Sequence, residues 1–170
     1  MELEMKQLAD VLQEAMRAES DGYAFYMMSA NSTEDEKGKE IFQQLAKEEK
    51  GHMEYLKMQY QSIIDTGAID PSLKLDLPMD FHPTHPIFTE KLIKRIGSAH
   101  FEMSALSIGV TLESNAFKFY GEQAEKTDNM EVKDFLIKLA EWEKRHYRAL
   151  LQQQEMLKED YWEANGFAPY

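Results

Sequence analysis

Three features of the sequence predict an all-α, antiparallel four-helix bundle. Apolar residues recur at helical spacing in four long segments, period-two alternation is almost absent, and four of the five prolines fall between Pro71 and Pro86. The first helix is expected from about Leu3 to Ala30. A Thr33-x-x-Glu36 capping box opens the second, which runs to about Asp65, with Thr66-Gly67 as its stop. The proline-rich stretch after it is a crossover. A short helical piece is expected from Thr89 to Ile96, and Gly97 separates it from the third long helix, Ser98 to Lys126. Asp128 with Glu131 caps a fourth, which fades near Trp162 before Asn165-Gly166 and Pro169. Residues 1–170 are thus expected to form a single domain: hairpin 1 at about 3–65, a crossover at about 66–97, hairpin 2 at about 98–162, and a C-terminal tail.

Composition narrows the function classes. At 170 residues, 43% hydrophobic and 29% charged, the chain has the material for one ordinary core. With no cysteine it has no disulfide, zinc ribbon, iron–sulfur cluster or thiol nucleophile. A formal net charge of -12 lacks the basic footprint that nucleic acid requires and is compatible with attracting cations. The start, MELEMKQLAD, has neither the basic opening nor the apolar run of a signal peptide, and no segment approaches membrane-spanning length. A cytoplasmic protein with no membrane partner is expected.

The chain also repeats itself. A shift of 94 positions places Glu19 on Glu113, Ser20 on Ser114, Phe25 on Phe119, Tyr26 on Tyr120 and Ala30 on Ala124; without a gap it also places Leu45 on Leu139, Glu49 on Glu143, His52 on His146 and Leu56 on Leu150. Two helical hairpins related by internal duplication would pack about a pseudo-two-fold axis. Within them, Leu45, Glu49, His52 and Leu56 are spaced 4, 3, 4, which is one helical face, and Leu139, Glu143, His146 and Leu150 repeat it. Leu12, Ala15, Glu19, Gly22 and Tyr26 line one face of the first helix, as Leu106, Val110, Glu113, Ala116 and Tyr120 do in the third.

Four carboxylates and two imidazoles therefore converge where apolar residues belong. Isolated buried carboxylates cost several kcal/mol each or take up protons, so four together need positive charge between them. Metal cations supply it. One Glu from each of two helices plus a Glu-x-x-His from each of the other two is the ligand set of a carboxylate-bridged dinuclear site. Glu49 and Glu143 are expected to bridge, His52 and His146 to be terminal ligands, and Glu19 and Glu113 terminal carboxylates. Mixed oxygen and nitrogen ligation suits iron or manganese.

The pattern Glu19, Glu49-x-x-His52, Glu113, Glu143-x-x-His146 resembles the ferritin-like di-iron superfamily, and its layout looks closest to the rubrerythrin-like branch. The resemblance covers both hairpins. It implies two iron ions per chain, with manganese as the alternative, held by those six residues, and chemistry with dioxygen or hydrogen peroxide. Two departures stand out. Full rubrerythrins carry a cysteine-ligated rubredoxin domain, and this chain has no cysteine. They also commonly carry an additional carboxylate one turn after the third-helix Glu, where this chain has Ala116. The symmetric set looks as much like the ferroxidase centre of bacterioferritins.

Three functions follow as expectations. The first is a di-iron oxidoreductase of oxidative-stress type, reducing hydrogen peroxide or dioxygen with electrons from a separate rubredoxin-like donor or reductase, and assembled as a homodimer. The second is a ferroxidase that oxidises iron(II) for storage or transfer. The third is a metal-free helical interaction module. Tyr26 and Tyr120, two turns beyond their glutamates, are candidate catalytic residues that hydrogen-bond the ligands or relay electrons. His82 and His85 in the crossover are expected to be structural, and His100, off the ligand face, to lie at the surface or an interface. Met27, Met28, Met53 and Met58 are read as core filling, and Gly22 and Gly51 as room kept for ligands or close helix approach. Tyr161, Trp162, Phe167 and Tyr170 are expected to pack on the bundle or on a neighbouring subunit.

Overall fold

The structure, a computed structural model, describes residues 3–74 and 88–166. Helix α1 spans Leu3–Ser32, α2 Glu36–Thr66, the short α3 Glu90–Ile93, α4 His100–Glu125 and α5 Met130–Ala164, with a 3-10 turn at Ile96–Ser98 between α3 and α4. There is no strand among the described residues. The expected bundle is therefore observed: α1 with α2, and α4 with α5, form two closely packed hairpins. His82, His85, Phe167 and Tyr170 lie outside the described residues.

The helix ends follow from capping chemistry, but two caps differ from expectation. The N-cap of α2 is Asp35, whose carboxylate accepts from Gly38 N at 2.8 Å, and that of α5 is Asn129, which accepts from Glu131 N and Val132 N. Thr33 and Asp128 are not the caps. Thr33 is engaged elsewhere: its hydroxyl donates to Glu102 Oε1 on α4 at 2.8 Å and accepts from Asp35 N. Its twin Thr127 likewise donates to Glu4 on α1 and accepts from Asn129 N. Each hairpin turn is thus clasped to the first helix of the other hairpin. Gly67 closes α2 as expected, with φ 75° and its N–H on Ile63 O.

The core has two parts, one on either side of a polar layer. At one end Tyr26, Phe42, Phe88, Leu92 and Leu106 pack together; at the other lie Leu12, Leu56, Ile63, Tyr120 and Leu136. The return from the crossover is fixed at the first end, where Asp35 also accepts from the Thr89 amide and hydroxyl and Phe88 is buried against Gly38. Burying such side chains contributes roughly 1.5–3 kcal/mol each. Met28 and Met58 are 53% and 46% exposed, so the expectation that they fill the core is wrong for both. They sit on the outward faces of their helices, with Met27 and Met53 half-buried. His100 is exposed on the bundle surface, with Nδ1 2.6 Å from the Tyr161 hydroxyl, and Tyr161 packs on the core while Trp162 stays exposed.

The helical glycines separate cleanly. A Cβ on Gly38 would stand 2.6 Å from the Phe88 ring, whereas one on Gly51 meets nothing within 4 Å, so Gly51 does not keep room for the polar layer. Gly38→Ala should lower stability by about 1–3 kcal/mol through overpacking. Gly51→Ala should raise it by up to about 1 kcal/mol from helix propensity alone. Chemical denaturation of the two variants checks this, and a stabilised Gly38→Ala protein would show that Phe88 does not pack as described.

Candidate metal centre

The polar layer contains all six residues expected from the repeat. Glu19 on α1, Glu49 and His52 on α2, Glu113 on α4, and Glu143 and His146 on α5 are each at most 4% exposed. The helical period explains their meeting: each sits one or two turns from a core residue on the same stripe, so folding the stripes inward carries them along. Gly22 faces the Glu49 carboxyl, and a Cβ there would stand in ordinary van der Waals contact with it at 3.4 Å.

The side chains form two nests. His52 Nδ1 lies 3.4 Å from Glu19 Oε2, 3.4 Å from Glu143 Oε1 and 3.9 Å from Glu49 Oε2. His146 Nδ1 lies 3.6 Å from Glu113 Oε2 and 3.7 Å from Glu49 Oε1. One ligand atom from each of Glu19, Glu49, His52 and Glu143 falls within 4.8 Å of the others, and so does one from each of Glu49, Glu113, Glu143 and His146. Glu49 and Glu143 belong to both groups. The imidazoles face each other at 5.6 Å, 12° from parallel.

Among the described residues five buried side-chain atoms have no hydrogen-bond partner, and four of them belong to this layer: Glu49 Oε1, Glu143 Oε1, His52 Nδ1 and His146 Nδ1. Buried polar atoms are almost always paired, so four orphans aimed at one volume mark a place for a ligand. Once deprotonated, these carboxylate oxygens and imidazole nitrogens fit divalent cations of the iron or manganese type. Both remaining carboxylates are oriented from behind. Tyr26 donates to Glu113 Oε1 and leaves Oε2 to its nest, and Tyr120 donates to Glu19 Oε1 at 3.2 Å and leaves Oε2 to the other. Burial, reinforced by the charges of Glu113 and Glu19 respectively, pushes both phenols well above their ordinary value, so they stay protonated donors.

Two contacts were not legible in the repeat because they lie where it breaks. Glu48 Oε2 sits 2.8 Å from His146 Nε2, whereas the twin position holds Trp142, stacked on the His52 ring at 5.6 Å. A search for identical pairs passes over both. On the α1–α4 side, a half-open cavity of about 310 Å³ reaches Glu19, Glu49, Glu113 and Glu143, with exposed Glu14 and Asp21 among the residues lining it.

Crowding these groups together favours their protonated forms. Burial and then the charge of Glu113 push Glu49 well above the usual carboxylate range; burial and then the charge of Glu19 raise Glu143 to about 7. For Glu19 burial acts upward, but its contacts with Glu49 and His52 outweigh it and hold the group low. For both imidazoles burial acts downward. Carboxylate charge outweighs it, Glu143 first at His52, which rises well above its ordinary value, and Glu113 first at His146, which rises to about 10.

The sign of the pH dependence follows. Above 4.5, the ordinary carboxyl value, folded Glu49 and Glu143 keep protons that the unfolded chain has released, and above 6.5 the same holds for His52 and His146. Stability from the imidazoles is complete below 6.5 and lost towards about 10, while the carboxyls weaken the fold as pH rises through about 7. Cations require these ligands deprotonated and replace their protons. The rise in melting temperature on adding iron(II) or manganese(II) should therefore be larger near pH 8.5 than near pH 5.5, with proton release on binding. Equal shifts at both pH values would show that the cluster does not bind the ion.

The sequence profile of the rubrerythrin family matches residues 10–154, which contain all six buried carboxylate and imidazole residues. No curated protein and no solved structure matches the chain significantly. With most of its length matched, this chain belongs to the rubrerythrin family of ferritin-like di-iron proteins.

Proposed function

We propose that the protein is a di-iron oxidoreductase that reduces hydrogen peroxide, with Glu19, Glu49, His52, Glu113, Glu143 and His146 holding two iron ions per chain. The observation that carries this reading is the sharing of Glu49 and Glu143 between the two nests, which would bring two ions within reach of one O–O bond. When bound, an iron pair passing from ferrous to ferric supplies two electrons, and these with two protons convert hydrogen peroxide to two waters.

The chain's own residues do the rest. Glu49 and Glu143 would bridge, their orphaned Oε1 atoms taking up the charge they lack in the bare fold. Tyr26 and Tyr120 keep one oxygen of each terminal carboxylate occupied and aim the other inward. The cavity beside Gly22 and Ala116 gives a small oxidant a way to the carboxylates without opening the bundle. Electrons for a second turnover would come from a separate donor, rubredoxin-like or a reductase, since a cysteine-ligated centre cannot be built from this chain.

One observation favours a second reading, a ferroxidase that oxidises iron(II) for storage or transfer. The exposed Glu14 and Asp21 lining the same cavity suit an incoming cation as well as an uncharged peroxide.

Rapid mixing of the diferrous protein with peroxide and, separately, with oxygen distinguishes the two. Peroxide should oxidise the centre faster, in a single turnover unless a donor is added, and the protein should be a homodimer by light scattering. Glu49→Ala should abolish the reaction together with tight iron binding. Tyr26→Phe, which lets Glu113 swing, should weaken iron binding about 10–100-fold. Faster reaction with oxygen, and uptake of many irons into a hollow assembly, would overturn the peroxidase reading in favour of the ferroxidase.

A further inference from the structure

The duplicated halves agree at every expected ligand and differ at the residue immediately before each Glu-x-x-His. In the first hairpin that residue is Glu48; in the second it is Trp142. Both side chains reach across the bundle to the imidazole of the opposite hairpin. Glu48 is bound at both ends, with Oε1 accepting from Gln44 Nε2 at 3.0 Å and Oε2 lying 2.8 Å from His146 Nε2. Its side chain is only 10% exposed, so water competes little for that contact. Trp142 instead lies flat on His52, ring centroids 5.6 Å apart and planes 20° from parallel, and packs edge-on against Tyr55. An indole offers no acceptor. Among the described residues nothing accepts a hydrogen bond from His52 Nε2.

We propose that the two halves of the centre bind their ions unequally, the position at His146 being the tighter, with Glu48 as the positioning residue that makes it so. The inference rests on the reading that the six residues hold two ions. A carboxylate on Nε2–H fixes the tautomer that leaves the Nδ1 lone pair facing the nest, locks the ring orientation, and makes Nδ1 a stronger donor. His52 presents Nδ1 to its own nest with no carboxylate behind it, its ring backed by the Trp142 stack. Loss of an outer partner of this kind typically costs about 10–100-fold in metal affinity. The first ion to bind therefore takes the His146 position, and the second completes the pair at His52.

Anaerobic titration with cobalt(II), followed by its visible absorption and by calorimetry, tests this. The wild type should bind two ions in two steps at least about 10-fold apart. In Glu48→Gln the first step should weaken by about that factor while the second stays in place, and Glu48→Asp should recover part of the loss. Trp142→Glu, which supplies the missing carboxylate, should tighten the second step, and far-UV circular dichroism should show each variant helical. Two ions bound with one common affinity, or equal weakening of both steps in Glu48→Gln, would overturn the inference and leave the dinuclear reading intact. Saturation well below two ions would overturn both.

Discussion

Everything in this bundle is arranged around the burial of four carboxylates in one layer. Left alone, such a layer repels itself, and the metal-free fold answers by retaining protons: Glu49 and Glu143 are held above the carboxylate range and both imidazoles above theirs. The layer also divides the hydrophobic core in two. Each half-core supplies one of the tyrosines that grip the layer from behind, Tyr26 from one side and Tyr120 from the other. Packing and site are therefore mechanically continuous. A loosened core would reach the ligands through these two phenols.

Much of this was legible in the sequence because the constraint is itself periodic. A polar residue kept on an apolar stripe stands out against the 3.6-residue repeat, and the duplication displays the same exception twice. The structure then brings Glu19, Glu49, His52, Glu113, Glu143 and His146 into one volume, as the stripes imply. Tyr26 and Tyr120 were visible for the same reason, lying two turns along the ligand face.

What escaped was whatever depends on a choice between chemically similar neighbours. The capping signal at Thr33 and Glu36 is real in composition, yet Asp35 takes the cap because the Thr33 hydroxyl is spent on Glu102, a contact 69 residues away that no local rule sees. Gly51, like Gly22, sits beside the ligand residues in sequence, but only Gly22 faces a carboxyl across a helix contact. Met28 and Met58 carry apolar side chains on outward faces, where hydrophobicity alone misleads. Glu48 and Trp142 are invisible to a comparison that scores identity, since their importance lies in being different.

The clasps between hairpin turns and opposite helices bear on how the two halves stay in register. Thr33 with Glu102 and Thr127 with Glu4 join one hairpin to the other through side chains, and Asp35 with Thr89 fixes the end of the crossover. With register set by these contacts, the covalent link between the hairpins also raises the effective concentration of each half in the presence of the other. The halves recognise one another as two subunits of a symmetric dimer do. The gene has joined them end to end, and one consequence is that the two copies of a shared site are free to become unlike, which identical subunits obeying exact symmetry cannot do.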